Sequence, residues 1–243
     1  MSITVTANEM SPRGASRLYA ILYIVTLVFG LAAQFGFSES MIAWNNAATT
    51  GANILNDPSR FGAGFSLYLI EMTAQIAMTT VLYSLLKPVS GRLALLMVIL
   101  TLIGCIIKIV SRLLYYSPLL ILGSASLNSF SKEQLDALAL LLLKINDHGA
   151  ALAMLFFGFG TILEAVLILR STFLPRALGV LALISGIGWM TFLWPPLGYA
   201  MFNVIAPFAL LSSLAMIGWM FVKGVDDQRW REQAELAHRS IWR

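Results

Sequence analysis

Charge, cysteine and histidine are what this sequence has least of. Only 12% of its 243 residues are charged, against 58% hydrophobic, and the mean hydropathy is +0.81. A soluble protein of this length needs more polar surface, so the balance points to an integral membrane protein. The single cysteine, Cys105, excludes an internal disulfide framework and falls inside an apolar run. The two histidines, His148 and His238, are expected in different compartments. One chain therefore builds neither a bis-histidine haem nor a histidine-rich metal site, and no cofactor or metal is expected. The net charge of +4 is no sign of nucleic-acid binding, because the Lys and Arg residues sit mainly at the ends of apolar runs.

Catalytic signatures are missing as well. There is no phosphate loop, zinc-protease helix, nucleophile elbow or dinucleotide fingerprint; Gly62-Ala63-Gly64 and Gly158-Phe159-Gly160 lack the third glycine and the strand context. No catalytic residue is assigned, and an enzyme is the least supported class. An embedded enzyme would have to use Glu71 and Lys108 as acid and base.

What the chain does have is six runs long enough to cross hydrocarbon, which takes about 20 residues at about 1.5 Å each. They cover 18–37, 61–86, 93–115, 149–169, 177–194 and 200–222. The expected fold is all-α and polytopic: a cytoplasmic segment over 1–17, a six-helix transmembrane domain over 18–223, and a cytoplasmic amphipathic tail over 224–243. Placing both termini inside puts Arg13, Arg17, Lys87, Arg92, Arg170, Arg176, Lys223 and the tail arginines in the cytoplasm, and leaves only Arg60, Lys132 and Lys144 outside. That is the topology expected in a cell's inner or plasma membrane. The first run is too long for a signal core and is read as a retained anchor.

The inner connections, 87–92 and 170–176, pair a proline with flanking cations and read as tight hairpin turns. The outer corner 194–199 is uncharged, and its Trp and Tyr suit the headgroup layer. In the second long outer connection, Ser131 and Gln134 form a capping box and Phe130 is placed to staple on Leu135. The helix they start, to about Ile145, either lies on the outer interface or extends the fourth span. A weaker interfacial helix is expected over 45–56, ended by Asp57-Pro58. The tail has Trp230, Ala234, Ala237 and Ile241 at near-helical spacing. Its charges nearly cancel, which favours a solvated terminal helix over lipid docking.

Ionisable groups in hydrocarbon each need an account. Tyr68, Glu71 and Gln75 share one face of the second span, with Glu71 roughly 15 Å from its outer end. Thr101, Cys105, Lys108, Arg112 and Tyr115 follow one face of the third. The spans run in opposite directions, so Glu71 and Lys108 reach comparable depth and are predicted to pair. The pair is either a structural bridge or a solute or proton site. Arg112 is expected to snorkel to outer headgroups beside Tyr115 and Tyr116, and Glu164 to turn toward cytoplasmic cations near Arg170. Asp147 and His148 read as a polar start to the fourth span, with an external pH sensor as the alternative. Asn203 and Pro207 mark a kink, because proline gives no hydrogen bond to the Asn203 carbonyl. Ala32/Gly36, Ala182/Gly186 and Ala209/Ser213 are small-residue pairs that allow close helix approach.

Several stretches resemble one family. Arg17 to Tyr23, Ala47 to Leu55, Leu82 to Val89, Gln134 to Leu143, Leu155-Phe156-Phe157-Gly158, Arg170-Ser171, Leu174-Pro175-Arg176 and Leu178 to Leu181 are similar, in order and spacing, to bacterial membrane proteins of the domain of unknown function 4386 family. The resemblance implies a six-span fold with interfacial helices and proline turns, and it implies no activity.

Two functions follow as expectations. In one, Tyr68, Glu71, Gln75, Lys108 and Arg112 line an outward-facing cavity for a small-molecule ligand, with Asp147, His148 and Asn203 as secondary polar candidates. In the other, the charges are internal bridges of an accessory protein that holds a second copy or a membrane partner. The lipid bilayer is the expected surrounding in both, and nucleic acid is not an expected partner.

Overall fold

A computed structural model describes residues 10–241, so the expected N-terminal segment is seen only from residue 10, and Arg243 of the tail lies outside the described residues. Among the described residues there is no strand. The chain forms α1 (Pro12–Leu31), a π-helical stretch (Ala32–Ser38), α2 (Glu39–Met41), α3 (Ala47–Asn56), α4 (Pro58–Leu86), α5 (Gly91–Leu122), α6 (Lys132–Arg170), α7 (Arg176–Met190), α8 (Pro195–Val222) and α9 (Asp227–Ile241). Six helices among the described residues are long and apolar enough to cross a membrane, as the hydropathy runs predict. Large side chains such as Leu113, Leu120, Val204 and Leu211 stand exposed on their outer faces, where lipid rather than water is the fitting solvent.

Local chemistry accounts for the helix starts. Ser11, Asn46, Asp57, Ser90 and Ser131 each accept a backbone N–H of the first turn, and Pro12, Pro58 and Pro195 occupy starting positions that need no N–H bond. The capping box is complete: the Ser131 N–H donates to Gln134 Oε1 at 2.8 Å, and the Gln134 N–H donates to Ser131 Oγ at 3.3 Å. Phe130, the expected staple, is exposed.

The helix that this box starts does not stop at the interface. It runs unbroken to Arg170 as a 39-residue α6, roughly 60 Å long, and so extends the fourth span. Gly149, which reads as a boundary, lies mid-helix where a β-carbon would collide with Ser111 of α5. The missing side chain lets α5 and α6 approach closely there.

The spanning helices pack as a closed ring, each against the next in the order α1, α4, α5, α6, α7, α8 and back to α1. Close approaches hold it. A β-carbon at Gly186 of α7 would sit 3.0 Å from the Gly158 carbonyl of α6, and one at Gly158 would sit 3.1 Å from the Gly186 carbonyl. Gly36, by contrast, has nothing within 4 Å of where its β-carbon would be.

One end of the ring carries the start of α1, the α4–α5 and α6–α7 turns and α9; here it is called the terminal end. At Gly224, with φ of 70°, the left-handed conformation ends α8 and turns the chain back. α9 is not a freely solvated tail. The Arg13 N–H donates to Asp227 at 3.0 Å, Gln233 accepts from Thr172, and the Trp230 indole donates to the Leu85 carbonyl at 2.9 Å while packing on the core. Trp230→Ala should cost about 2 kcal/mol, since both a part-buried aromatic and a hydrogen bond are lost. Limited trypsin digestion reads it out: cleavage at Arg231 and Arg239 should accelerate in the variant, and unchanged rates would contradict the docked tail.

Candidate functional site

The polar faces of α4 and α5 meet inside the ring. Lys108 Nζ donates to Glu71 Oε1 at 2.5 Å, with both side chains about nine-tenths buried. The second oxygen, Glu71 Oε2, is buried without a hydrogen-bond partner. Gly30 of α1 makes the room: a β-carbon there would stand 3.0 Å from the carboxylate. The sequence carries no sign of that role, since Gly30 looks like any small residue in an apolar helix.

One turn along α5, Arg112 does not reach the headgroups. It is buried, donates from Nη1 to Asn146 Oδ1 of α6 at 3.0 Å, and lies 3.6 Å from the centroid of the Tyr68 ring, a cation–π contact. The inward turn follows from these two partners, which offer a desolvated guanidinium more than the interface would. Arg112 Nε stays without a partner. Asn146, absent from the sequence candidates, opens the polar run Asn146-Asp147-His148, and that run is the signal that could have found it.

Tyr68 is fixed in turn by the π-helical stretch. Its hydroxyl donates to Gln34 Oε1 at 2.8 Å, which leaves Ser38 as donor to the Tyr68 oxygen at 2.9 Å. The wider turn of a π-helix places Gln34 and Ser38 together toward α4, a common use of this rare geometry. Both were missed, although they are polar residues four apart at the end of an apolar run.

Beside the ion pair is a cavity of about 560 Å³ that all six spanning helices help to line. Glu71, Gln75 and Lys108 form its polar wall from α4 and α5, and Asn203 faces it from α8 one turn before Pro207. Leu27, Phe157, Trp189 and Phe202 make the rest apolar. The structure thus brings together Glu71, Gln75, Lys108 and Asn203 on the cavity, while Tyr68 and Arg112 stand in the packed layer behind the pair.

Asp147 and His148 lie apart from it. They do not start a helix but sit within α6, where Asp147 accepts the Tyr199 hydroxyl at 2.7 Å. His148 is exposed, with Nδ1 2.9 Å from the Lys144 carbonyl and its ring 5.8 Å from Tyr199. Glu164 does not turn to Arg170: the Tyr19 hydroxyl donates to it at 3.5 Å. Near the start of α6, Asp136 is 2% exposed and receives Lys132 at 2.7 Å, against Gly51 of α3. Among the described residues no cluster of His, Cys, Asp and Glu is arranged to hold a metal ion.

A family model described as Domain of unknown function (DUF4386) matches residues 18–224, the full set of spans. No curated protein and no solved structure matches the chain.

Proposed function

The chain belongs to the DUF4386 family, and from that premise we propose that it binds a small amphipathic solute inside the membrane, in the cavity walled by Glu71, Gln75, Lys108 and Asn203. The observation that carries this reading is the cavity itself. A buried ion pair whose only task was to join two helices would be packed over on every side, whereas this one borders a space of about 560 Å³, within the ordinary range for small-molecule sites of roughly 300–1,000 Å³. The mostly apolar walls fit a solute body, and the polar side chains of Glu71, Gln75 and Lys108, with Asn203 facing the cavity from α8, fit its head group. Movement of the solute across the bilayer would extend the same site.

The protein is placed in the inner or plasma membrane with both termini in the cytoplasm. The cations flanking the terminal end, among them Arg13, Lys87, Arg92, Arg170, Arg176 and Lys223, support that orientation against Arg60, Lys132 and Lys144 at the other. A purely structural bridge, in an accessory protein that holds a second copy or a membrane partner, is the competing reading.

Native mass spectrometry of the detergent-extracted protein separates them. A small adduct on the wild type that is lost in Glu71→Gln/Lys108→Met is the expected result. A fixed oligomer or protein partner with no adduct, or an adduct retained by the folded double variant, would overturn the cavity reading.

A further inference from the structure

Toward the terminal end from the cavity lies a second, smaller space of about 60 Å³, room for about two water molecules. Its walls carry Glu164 and Thr161 of α6, Ser185 of α7, and Ser212 and Ser213 of α8. The two spaces share Tyr23, Thr161, Trp189, Ala209 and Ser213 as common wall. Across that wall the Tyr23 hydroxyl meets Ser213 Oγ at 2.6 Å; since Ser213 donates to the Ala209 carbonyl at 2.8 Å, Tyr23 is the donor.

We infer that this chamber is a binding site for a monovalent cation, a proton or a sodium ion, held by the Glu164 carboxylate. Five hydroxyl-bearing side chains, those of Tyr23, Thr161, Ser185, Ser212 and Ser213, line the same space as one carboxylate, a supply of hard oxygen donors beside a single negative charge. Among the described residues no Lys, Arg or His stands within ion-pair distance of Glu164. Among the described residues its one hydrogen-bond donor is Tyr19, at a long 3.5 Å. The titratable groups facing it are Tyr19 and Tyr23 of α1; α5, α7 and α8 present none among the described residues. A carboxylate in the membrane interior without a cationic side chain is stabilised by taking up a cation from solution.

Glu71 differs in just this respect, because Lys108 already neutralises it. The chain thus has one carboxylate committed to a lysine on the solute cavity and one left for an exchangeable cation behind it. The inference extends the cavity reading without resting on it. Where both hold, a cation at Glu164 and a solute beside Glu71 are separated only by the Tyr23–Ser213 bond and its neighbours, the arrangement that cation-coupled movement of a solute requires.

The test uses the full chain in detergent, without any solute. Dicyclohexylcarbodiimide adds to protonated carboxyl groups in apolar surroundings: the acid proton passes to a carbodiimide nitrogen and the carboxylate oxygen bonds its central carbon. Peptide mass spectrometry should find the adduct on Glu164 and not on Glu71. If the ion is a proton, labelling falls as pH rises and ignores the choice of sodium or choline chloride; if it is sodium, labelling at fixed pH falls with sodium and not with choline. Thermal unfolding gives the second readout. The dependence on pH or on sodium seen in the wild type should be lost in Glu164→Gln, which keeps an acceptor for Tyr19. No label on Glu164 at any pH, or the same pH and sodium dependence in wild type and Glu164→Gln, overturns the inference; should that variant fail to fold, the wild-type labelling alone decides.

Discussion

Glu71→Gln alone should lower unfolding stability by about 3–5 kcal/mol, and Glu71→Gln/Lys108→Met should recover most of it. The sign follows from where the pair sits. Both charges are about nine-tenths buried and only 2.5 Å apart, so each is stabilised by the other rather than by solvent. Removing one leaves an uncompensated charge in a low-dielectric interior, whereas replacing both removes the desolvation cost together with the attraction. Thermal unfolding in one detergent, across wild type, both single variants and the double, completes a cycle that isolates the coupling. A Glu71→Gln variant as stable as the wild type would show that the pair is not formed. The same double variant should lose the bound solute while keeping most of the wild-type stability, a separation of binding from stability that a merely structural bridge would not produce.

Gly186→Leu should be as damaging, at about 3 kcal/mol or more, the upper part of the range for overpacking. A side chain there must enter a gap in which the Gly158 carbonyl stands 3.0 Å from the β-carbon position. A backbone carbonyl cannot rotate away, so α6 and α7 must separate, and with them the cavity wall that holds Phe157, Thr161 and Trp189. Gly36→Leu and Gly218→Leu are the controls. Nothing lies within 4 Å of either β-carbon position, so both should fall within about 0.5 kcal/mol of the wild type, as surface changes usually do. Unfolding temperatures of the three variants test this, and a Gly186→Leu variant no worse than the controls would remove the close α6–α7 approach from the account.

Much of this was legible in the chain. The six spans follow from length and hydropathy, because hydrocarbon thickness sets a minimum apolar run. The Glu71–Lys108 pair was legible too: helical spacing puts each on a polar face, and antiparallel direction brings them to one depth. What could not be read is which faces of distant helices meet. Arg112 was expected at the headgroups because its own helix offers Tyr115 and Tyr116, while the partners that turn it inward, Asn146 and Tyr68, come from α6 and α4. Asn203 shows the same gap, since one amide before a proline does not announce a cavity shared with Glu71, 132 residues away in sequence. The π-helical turn at Ala32–Ser38 has no composition signal. For α9, the polar tail suggested solvent, and nothing in its periodicity tells that Trp230 finds the free Leu85 carbonyl at the end of α4.

That the ring holds a water-accessible cavity with a polar wall is best tested by thiol labelling at two adjacent positions of α8. In a Cys105→Ser background, Asn203→Cys and Val204→Cys differ in depth by only about 1.5 Å along the helix. Asn203 lines the cavity, while Val204, 63% exposed, is not among its lining residues and faces outward from the ring. A water-soluble, membrane-impermeant maleimide needs hydrated thiolate, so Asn203→Cys in proteoliposomes should label at least tenfold faster than Val204→Cys. Equal rates, or faster reaction at Val204→Cys, would contradict a hydrated cavity at the centre of the bundle.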